Sequence, residues 1–273
     1  MNSKNIFHVR VLTAADLHQI PFLYYSLDVA VEKHRPDLVA IVGDALDAMN
    51  YSAHRQFTTA ECASHLALLS VPRLIFVRGN HEDDKWSEFV AAWPHKKREL
   101  VGIYGSAFKA GPLVVIGFPC MTGSEFSWCA HLQATSNKME LSPPRSREPL
   151  PSDSDAWLPA LMRRVGPAGR TLWLMHESPI GLPLAHPNSV NPDYTTAVER
   201  FSPRFVLCGH DHTAPLKNNI WNARLGNSLC ANAGQSISVF HYTVIDFEFP
   251  KSSPCLPSKI TVRAFPWGKE VVV

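Results

Sequence analysis

Apolar and polar positions along the chain follow two periods, which predict strands and helices in alternation. Apolar runs four to eight residues long have the length of strands buried on both faces, and longer stretches repeat apolar residues at helical spacing. The first run spans residues 7–14, and the segment after it places Leu23, Leu27, Ala30 and Val31 on one helical face. The third element, residues 38–42, is again a continuous apolar run. This strand–helix–strand order predicts parallel pairing.

The same periods predict the remaining elements. Further strands are predicted at residues 73–78, 171–175 and 205–208, and two runs within residues 101–118 predict strands of a second layer. Helices are predicted at about residues 53–69, at residues 157–165, and after Asn191, which caps a helix with Pro192 at its first position. Runs near residues 228–231, 240–247 and 260–265 predict antiparallel strands that close a second sheet.

One long stretch, at about residues 119–155, breaks this alternation. It is polar and irregular, and it contains Pro143, Pro144, Pro149 and Pro151, which disfavour regular structure. The strand–loop scheme resumes after it. We therefore interpret it as an insertion within a single domain of residues 1–273, and not as a domain boundary.

Composition narrows the class of protein. Hydrophobic residues make up 45% and charged residues 18% of the chain, and the formal net charge is +2 without a basic stripe. We therefore expect no nucleic-acid partner and no membrane surface partner. The six cysteines are scattered without a C-x-x-C pair, and no signal peptide precedes the first strand. We expect a soluble, cytoplasmic protein with free thiols, and the sequence carries no sign of its oligomeric state.

Polar residues capable of binding metal follow five of the predicted strands, most often through a glycine. They are Asp16 and His18, then Gly43-Asp44 with Asp47, then Gly79-Asn80-His81, then His176, and finally Gly209-His210-Asp211-His212. Each motif alone has an ordinary explanation as a cap or a turn, but their common position makes coincidence a poor explanation. Carboxylate, amide and imidazole ligands suit Mn, Fe, Zn or Co, and the absence of thiolates argues against a structural zinc site.

The order D-x-H, G-D-x-x-D, G-N-H-E, H, G-H-x-H resembles that of the calcineurin-like metallophosphoesterase superfamily, over roughly residues 7–248. The resemblance implies an α/β fold, a four-layer α-β-β-α sandwich of two mixed β-sheets flanked by helices. It also implies a phosphoesterase that uses two divalent or mixed-valence metal ions.

Position by position, the resemblance implies two ligand sets that share Asp44. The first metal is held by Asp16, His18, Asp44 and His212, and the second by Asp44, Asn80, His176 and His210. His81 protonates or stabilises the leaving oxygen, and Asp47 orients His81. The implied reaction is in-line attack on phosphorus by a metal-activated hydroxide.

Differences between this sequence and one branch of the family limit the expected class of substrate. The Ser/Thr protein phosphatase branch carries Arg-Gly after G-D-x-x-D and glycine after D-x-H, whereas this chain has Ala48, Met49 and Gln19. These differences favour the phosphodiesterase-like branch and a phosphodiester or small-molecule phosphomonoester as substrate. Two alternatives stay open, a metal-dependent nuclease and a non-catalytic protein-interaction scaffold. Outside the motifs, we interpret His131 and His186 as solvated loop residues.

Overall fold

The computed structural model describes residues 5–46, 56–103, 105–118, 138–139 and 154–273. Its helices are α1 Pro21–His34, α2 Thr59–Leu68, α3 Asp83–Ala92, α4 Ser154–Val165, α5 Pro192–Phe201 and α6 Ala214–Asn218. Its strands are β1 Ile6–Ala14, β2 Leu38–Val42, β3 Leu74–Val77, β4 Ser106–Ala110, β5 Leu113–Gly117, β6 Lys138–Met139, β7 Thr171–Leu174, β8 Ser178–Pro179, β9 Val190–Asn191, β10 Phe205–Leu207, β11 Asn222–Leu225, β12 Ser228–Ala231, β13 Tyr242–Pro250, β14 Lys259–Phe265 and β15 Lys269–Val272.

Two mixed sheets carry the fold. The first has the order β15-β14-β13-β1-β2-β3, and the second has the order β11-β12-β10-β7-β5-β4-β6. In the first sheet β1, β2 and β3 are parallel, and in the second β5, β7, β10 and β12 are parallel. Antiparallel strands complete both sheets at their edges.

Three hydrophobic clusters define four layers. The central cluster lies between the sheets and joins, for example, Val11 and Val42 of the first sheet to Leu172 and Leu207 of the second. An outer cluster packs α1, α2 and α3 on the first sheet, and another packs α4 and α5 on the second. The predicted α-β-β-α sandwich is confirmed.

Local chemistry sets the helix boundaries. Helix α1 begins with Pro21 in its first turn and ends at His34, because the next residue, Arg35, has a left-handed backbone and directly precedes Pro36. Helix α2 begins at Thr59, later than predicted, because Thr58 and Glu61 form a capping box in which each side chain accepts a hydrogen bond from the other's backbone N–H. Asn191 caps α5 as predicted, accepting hydrogen bonds from the backbone N–H groups at positions 193 and 194.

The prediction for the C-terminal strands is wrong in two respects. Strands β13 and β14 are antiparallel to their neighbours but belong to the first sheet, because β13 pairs with β1 along its length, from Ile6↔Pro250 to Thr13↔Thr243. Strand β12 lies in the second sheet and runs parallel to β10. Alternating apolar residues indicate that a strand is present. Which strand pairs with it depends on residues far away in the sequence.

Two further predictions concern regions that the structure describes only partly. Apart from β6 and the start of α4, the predicted insertion at about residues 119–155 lies outside the described residues. Within the described ranges, no helix has the length and apolar character needed to cross a membrane.

Candidate metal centre

The residues predicted to bind metal lie at the carboxyl ends of parallel strands in both sheets. Asp16 follows β1, Asp44 follows β2 and Asn80 follows β3, while His176 follows β7 and His210 follows β10. Since the carboxyl ends of parallel strands share one edge of a sheet, these loops meet where the two sheets face each other.

Asp44 lies between the side chains that come from the two sheets. Its Oδ2 atom is 3.1 Å from Nε2 of His176, 3.9 Å from Nε2 of His81 and 4.0 Å from Nε2 of His18. Its Oδ1 atom accepts a hydrogen bond of 2.9 Å from the backbone N–H of His81. The Asp44 carboxylate is therefore within reach of ligand atoms on either side.

His176 is oriented by the first sheet, although it belongs to the second. Its Nδ1 atom is 2.9 Å from the carbonyl oxygen of Val42, to which an Nδ1–H donates. That bond directs Nε2 toward Asp44 and toward Oδ1 of Asn80, which is 3.1 Å away. An imidazole held in this way by a carbonyl presents a fixed nitrogen to a metal.

The second group of side chains surrounds Asp16. Oδ1 of Asp16 accepts a hydrogen bond of 3.1 Å from the backbone N–H of His210 and lies 3.4 Å from Nε2 of His212. His212 Nε2 is in turn 3.0 Å from Nε2 of His18. This distance is that of a hydrogen bond between the two rings, and Asp16, His18 and His212 together bring ligand atoms within 4.8 Å of one another.

The backbone of the ligand loops is left-handed at several residues that are not glycine. The φ angles are 58° at Asp16, 46° at His18, 52° at Asp44 and 66° at His210. This conformation costs roughly 1–2 kcal/mol per residue for an L-amino acid, and such residues cluster at functional sites. Hydrogen bonds hold it in place, from the N–H of Asp16 to the carbonyl of Gly43 and from the N–H of His18 to that of Asp44.

The glycines of the sequence motifs make room for ligands from other loops. A Cβ atom at Gly43 would lie 2.1 Å from Nδ1 of His176, and one at Gly79 would lie 2.0 Å from Oδ1 of Asp44. Both distances are far below van der Waals contact. Each of these glycines is thus required by a neighbouring ligand and not only by its own turn.

Burial and charge shift the pKa values in a consistent pattern. Burial tends to raise the pKa of Asp44, but the charge and hydrogen bond of His176, helped by His18 and His81, hold it well below its usual range. Burial lowers the pKa of His176, and the adjacent Asp44 outweighs it, so that the pKa of His176 rises to about 10. Burial dominates at His18 and lowers its pKa to about 4. When no metal is bound, the Asp44 carboxylate is thus paired with a protonated His176 imidazole.

Glu82 is a central residue of the site for which the sequence predicted no role. It is 1% exposed, and its carboxylate accepts hydrogen bonds from the backbone N–H groups of Asp44, Leu46 and Gly79. It therefore ties the loop after β2 to the loop after β3. Burial, reinforced by the charge of Asp44, raises the pKa of Glu82 to about 7.

A second set of unpredicted residues surrounds the G-H-x-H loop. Asp211 accepts hydrogen bonds from the backbone N–H groups of His186, Thr213 and Ala214. Through the first of these bonds His186 is held at the site. It remains exposed, as predicted for a loop residue, but it also lines the cavity described next. The bonds of Asp211 to Thr213 and Ala214 form a local turn that the sequence could have indicated, whereas its bond to His186 joins another loop and leaves no local pattern.

The clustered side chains open into one cavity of about 830 Å³. The cavity is lined by the predicted site residues Asp16, His18, Asp44, Asn80, His81, His210 and His212. His176 is fully buried. Among the described residues, three groups bring ligand atoms within 4.8 Å of one another, namely Asp16–His18–His212, His18–Asp44–His81 and Asp44–His176–His210. The remaining predicted residue, Asp47, lies outside the described residues.

The donor set fits divalent metal ions. Oδ2 of Asp16 is buried and has no hydrogen-bond partner in the structure. A buried carboxylate oxygen without a partner is costly, and a cation would satisfy it. Carboxylate oxygens mixed with imidazole nitrogens are typical ligands of first-row divalent ions.

Comparisons with solved structures support the fold. The chain is similar to TT1561 of Thermus thermophilus (15% identity, 98% of this chain and 99% of that chain, TM-score 0.58). It is also similar to a dimetal phosphatase from Danio rerio (11% identity, 97% and 98%, TM-score 0.60). A third similar structure is the calcineurin-like phosphoesterase YfkN from Bacillus subtilis (13% identity, 95% and 90%, TM-score 0.53). At these identities the likeness shows the fold alone.

Sequence comparison identifies the family. No curated protein sequence matches the chain significantly. The family model described as calcineurin-like phosphoesterase matches residues 9–214, which is more than half of the chain and includes all five motifs. The chain therefore belongs to the calcineurin-like phosphoesterase family and is a metal-dependent phosphoric ester hydrolase.

Proposed function

We propose that this protein is a dinuclear-metal phosphoesterase that hydrolyses a phosphodiester or a small-molecule phosphomonoester. The observation that carries the proposal is the position of Asp44 between two groups of ligand atoms, Asp16–His18–His212 on one side and His176–His210 on the other. A carboxylate has two oxygens and can serve both groups at once. This arrangement supports two ions that share Asp44.

The proposed ligands follow from the sequence and agree with these distances. Asp16, His18, Asp44 and His212 would hold one ion, and Asp44, Asn80, His176 and His210 would hold the other. Two divalent ions at this position, Mn, Fe, Zn or Co, would supply Lewis acidity toward the phosphate and would activate a water molecule. Asn80 contributes a neutral ligand, which leaves the centre more positive and favours an anionic ester.

The protein's own residues would orient the ester and move a proton. The side chain of His81 lines the cavity, and its Nε2 atom is 3.9 Å from Oδ2 of Asp44. The backbone N–H of His81 donates a hydrogen bond to the Asp44 carboxylate, which fixes the His81 backbone and therefore the base of its side chain. We propose His81 as the group that protonates or stabilises the leaving oxygen, and Asp47 as its orienting partner.

Two wider proposals concern the whole protein. We infer that residues 1–273 form one domain, which the central cluster supports because both sheets contribute to it. We also infer a reducing, cytoplasmic environment. The four cysteines in the described ranges, Cys62, Cys208, Cys230 and Cys255, are free thiols.

Replacing Asp44 by alanine tests the function directly. The protein is stripped with a chelator, reloaded with Mn²⁺, Fe²⁺, Zn²⁺ or Co²⁺, and assayed for bound metal and for hydrolysis of bis-p-nitrophenyl phosphate. We expect wild-type protein to bind metal and turn over the diester, and Asp44→Ala to lose both, because the shared ligand is gone. Glu248→Ala is the matched control, since it removes a partly exposed carboxylate whose partner is Lys259.

Three outcomes would contradict the proposal. Retention of full metal content and turnover by Asp44→Ala would rule out the shared ligand. Fewer than one metal per wild-type chain, together with no turnover, would favour the non-catalytic scaffold. Rapid cleavage of single- or double-stranded DNA with Mn²⁺ present would favour the nuclease.

A further inference from the structure

The metal centre accounts for only part of the cavity lining. Residues with no proposed role in metal binding complete it, among them Ile20, Leu23, Gln56, Gln235, Ser236 and Ile237. Most of these side chains are alkyl, hydroxyl or amide groups. They share the cavity with the predicted metal ligands and are therefore available to contact the organic part of a bound ester.

Ile237 is the conspicuous residue of this set. It lines the cavity, yet 67% of its surface is exposed. A large alkyl side chain exposed to water inside a binding cavity gains stability when an apolar group covers it. Ligand cavities commonly combine such apolar surface with a few polar groups that orient the ligand.

The segment that carries Ile237 is held to the metal centre by Gln235. The Nε2 atom of Gln235 donates to the carbonyl oxygens of Ala15 (3.1 Å) and His241 (3.3 Å). Its Oε1 atom accepts from the N–H groups of Ser236 (3.0 Å) and His241 (3.1 Å). Ala15 directly precedes Asp16, so one buried side chain closes the loop and attaches it to a ligand loop.

A backbone contact adds a second attachment. The N–H of Gln235 donates to the carbonyl oxygen of His212 at 3.3 Å. Within the loop, Ser236 Oγ and Ser238 Oγ are 3.1 Å apart and hydrogen-bonded. Hydrogen bonds therefore hold the residues on either side of Ile237, and Gln235 attaches this segment to the loops of Asp16 and His212, which favours a specificity role.

We propose that Ile237 packs against the organic group of the ester, and that this subsite favours substrates that carry an apolar group next to the phosphate. The inference rests on the proposed function, since it assumes that the phosphate binds at the metal centre. Ile237 acts on specificity and takes no part in bond cleavage.

Binding of two phosphonates to the manganese-loaded protein tests the subsite without relying on turnover. Phenylphosphonate and methylphosphonate share the anionic group and differ in the ring. We expect wild-type protein to bind phenylphosphonate roughly tenfold more tightly by calorimetry, the range for a modest apolar contact. Ile237→Ser should remove that preference by weakening phenylphosphonate alone. Val239→Ser is the matched control, because Val239 is 42% exposed in the same loop and does not line the cavity.

Steady-state kinetics of Ile237→Ser provide a second test of the subsite. With an aryl phosphate, Ile237→Ser should raise KM by a similar factor and leave kcat unchanged, the pattern of a lost contact that is equally strong in the ground and transition states. With glycerol phosphate, KM should not change.

The outcomes separate the two proposals. Equal binding of both phosphonates by the wild type, an unchanged preference in Ile237→Ser, or loss of the preference in Val239→Ser would each overturn the subsite. Phosphonate preference as expected without hydrolysis of any ester would contradict the proposed function and support the subsite. Hydrolysis without the preference would do the reverse, and failure to bind either phosphonate would contradict both.

Discussion

Two buried aspartates and five histidines share a small volume, so the protonation state of each depends on its neighbours. Asp16 and Asp44 are at most 1% exposed, and each faces at least one imidazole nitrogen within 3.4 Å. Burial alone would raise the pKa of Asp16, but the charge and hydrogen bond of His212 lower it overall. The charge of each carboxylate is therefore balanced by a neighbouring imidazole, His212 for Asp16 and His176 for Asp44.

Metal binding should release a proton from His176. In the metal-free protein the pKa of His176 is about 10, so at pH 8 the ring is protonated, whereas a metal ligand must be neutral. His18, with a pKa of about 4, is already neutral and releases nothing. We expect His176 to release about one proton per chain at pH 8, and this release to fade as the pH rises through 10. Calorimetry in buffers of different ionisation enthalpy measures it. His176→Gln should lack this proton, and an equal release from the variant would show that it comes from elsewhere.

His81 should separate chemistry from metal binding. Replacing it by alanine removes the proposed proton donor, and we expect turnover to fall by ~10²–10⁴ while the bound metal is retained. Metal analysis and steady-state kinetics on one preparation check both halves. His95→Ala removes an exposed histidine and serves as the control. Full activity in His81→Ala would show that its role is wrongly assigned.

At the scale of elements, helix α5 is linked to the metal loops through its cap. Asn191 accepts hydrogen bonds at the helix N-terminus, and its Nδ2 donates to Glu177 at 2.8 Å. Glu177 is fully buried and directly follows His176. Thr58 caps α2 in a comparable way, but the bonds of its capping box stay within that helix start.

The two caps therefore offer a matched pair of variants. We expect Thr58→Ala to lower the free energy of unfolding by about 1 kcal/mol, the usual loss for a cap, and Asn191→Ala to lower it further, because the buried Glu177 also loses a donor. Asn191→Ala should also weaken metal binding, because Glu177 loses a donor beside His176. Urea unfolding and metal titration of both variants provide the measurements. Equal metal affinity in the two would mean that the Asn191–Glu177 bond does not support the site.

Sequence patterns predicted the elements better than their partners. The apolar run of β2 and the stripe of α1 were sufficient to predict both, since burial imposes those periods locally. The sheet to which β13 belongs was predicted wrongly, because its pairing with β1 depends on residues more than two hundred positions away. The strand–glycine–ligand motifs are local, and they predicted which side chains converge. The roles of Glu82 and Gln235 were missed, because these side chains bind the backbone of other loops.

At the scale of the whole molecule, the candidate centre connects the two sheets. His176 of the second sheet binds the Val42 carbonyl of the first, and the N–H of His210 binds Asp16. A cation bound by ligands from both sheets would strengthen this connection. Metal binding should therefore raise the stability of the entire fold and not only of the loops.

Chelation should lower the melting temperature as a result. With free Mn²⁺ at 100 times its dissociation constant, the gain in unfolding free energy is about 2.7 kcal/mol. We expect EDTA to abolish this gain in the wild type and to have no effect on Asp44→Ala. Differential scanning calorimetry with and without EDTA provides the comparison. An identical shift in both proteins would place the stabilising metal elsewhere.

The pairing of β1 with β13 has a consequence for synthesis in the cell. Strand β1, Ile6–Ala14, leaves the ribosome long before the strand that covers one of its edges, Tyr242–Pro250, because more than two hundred residues separate them in the sequence. At ordinary elongation rates the delay is on the order of ten seconds or more. During that time the nascent chain exposes an unpaired edge with apolar residues, a surface prone to aggregation. The first sheet is thus completed late, and a chaperone would bind the exposed edge of β1 before that point.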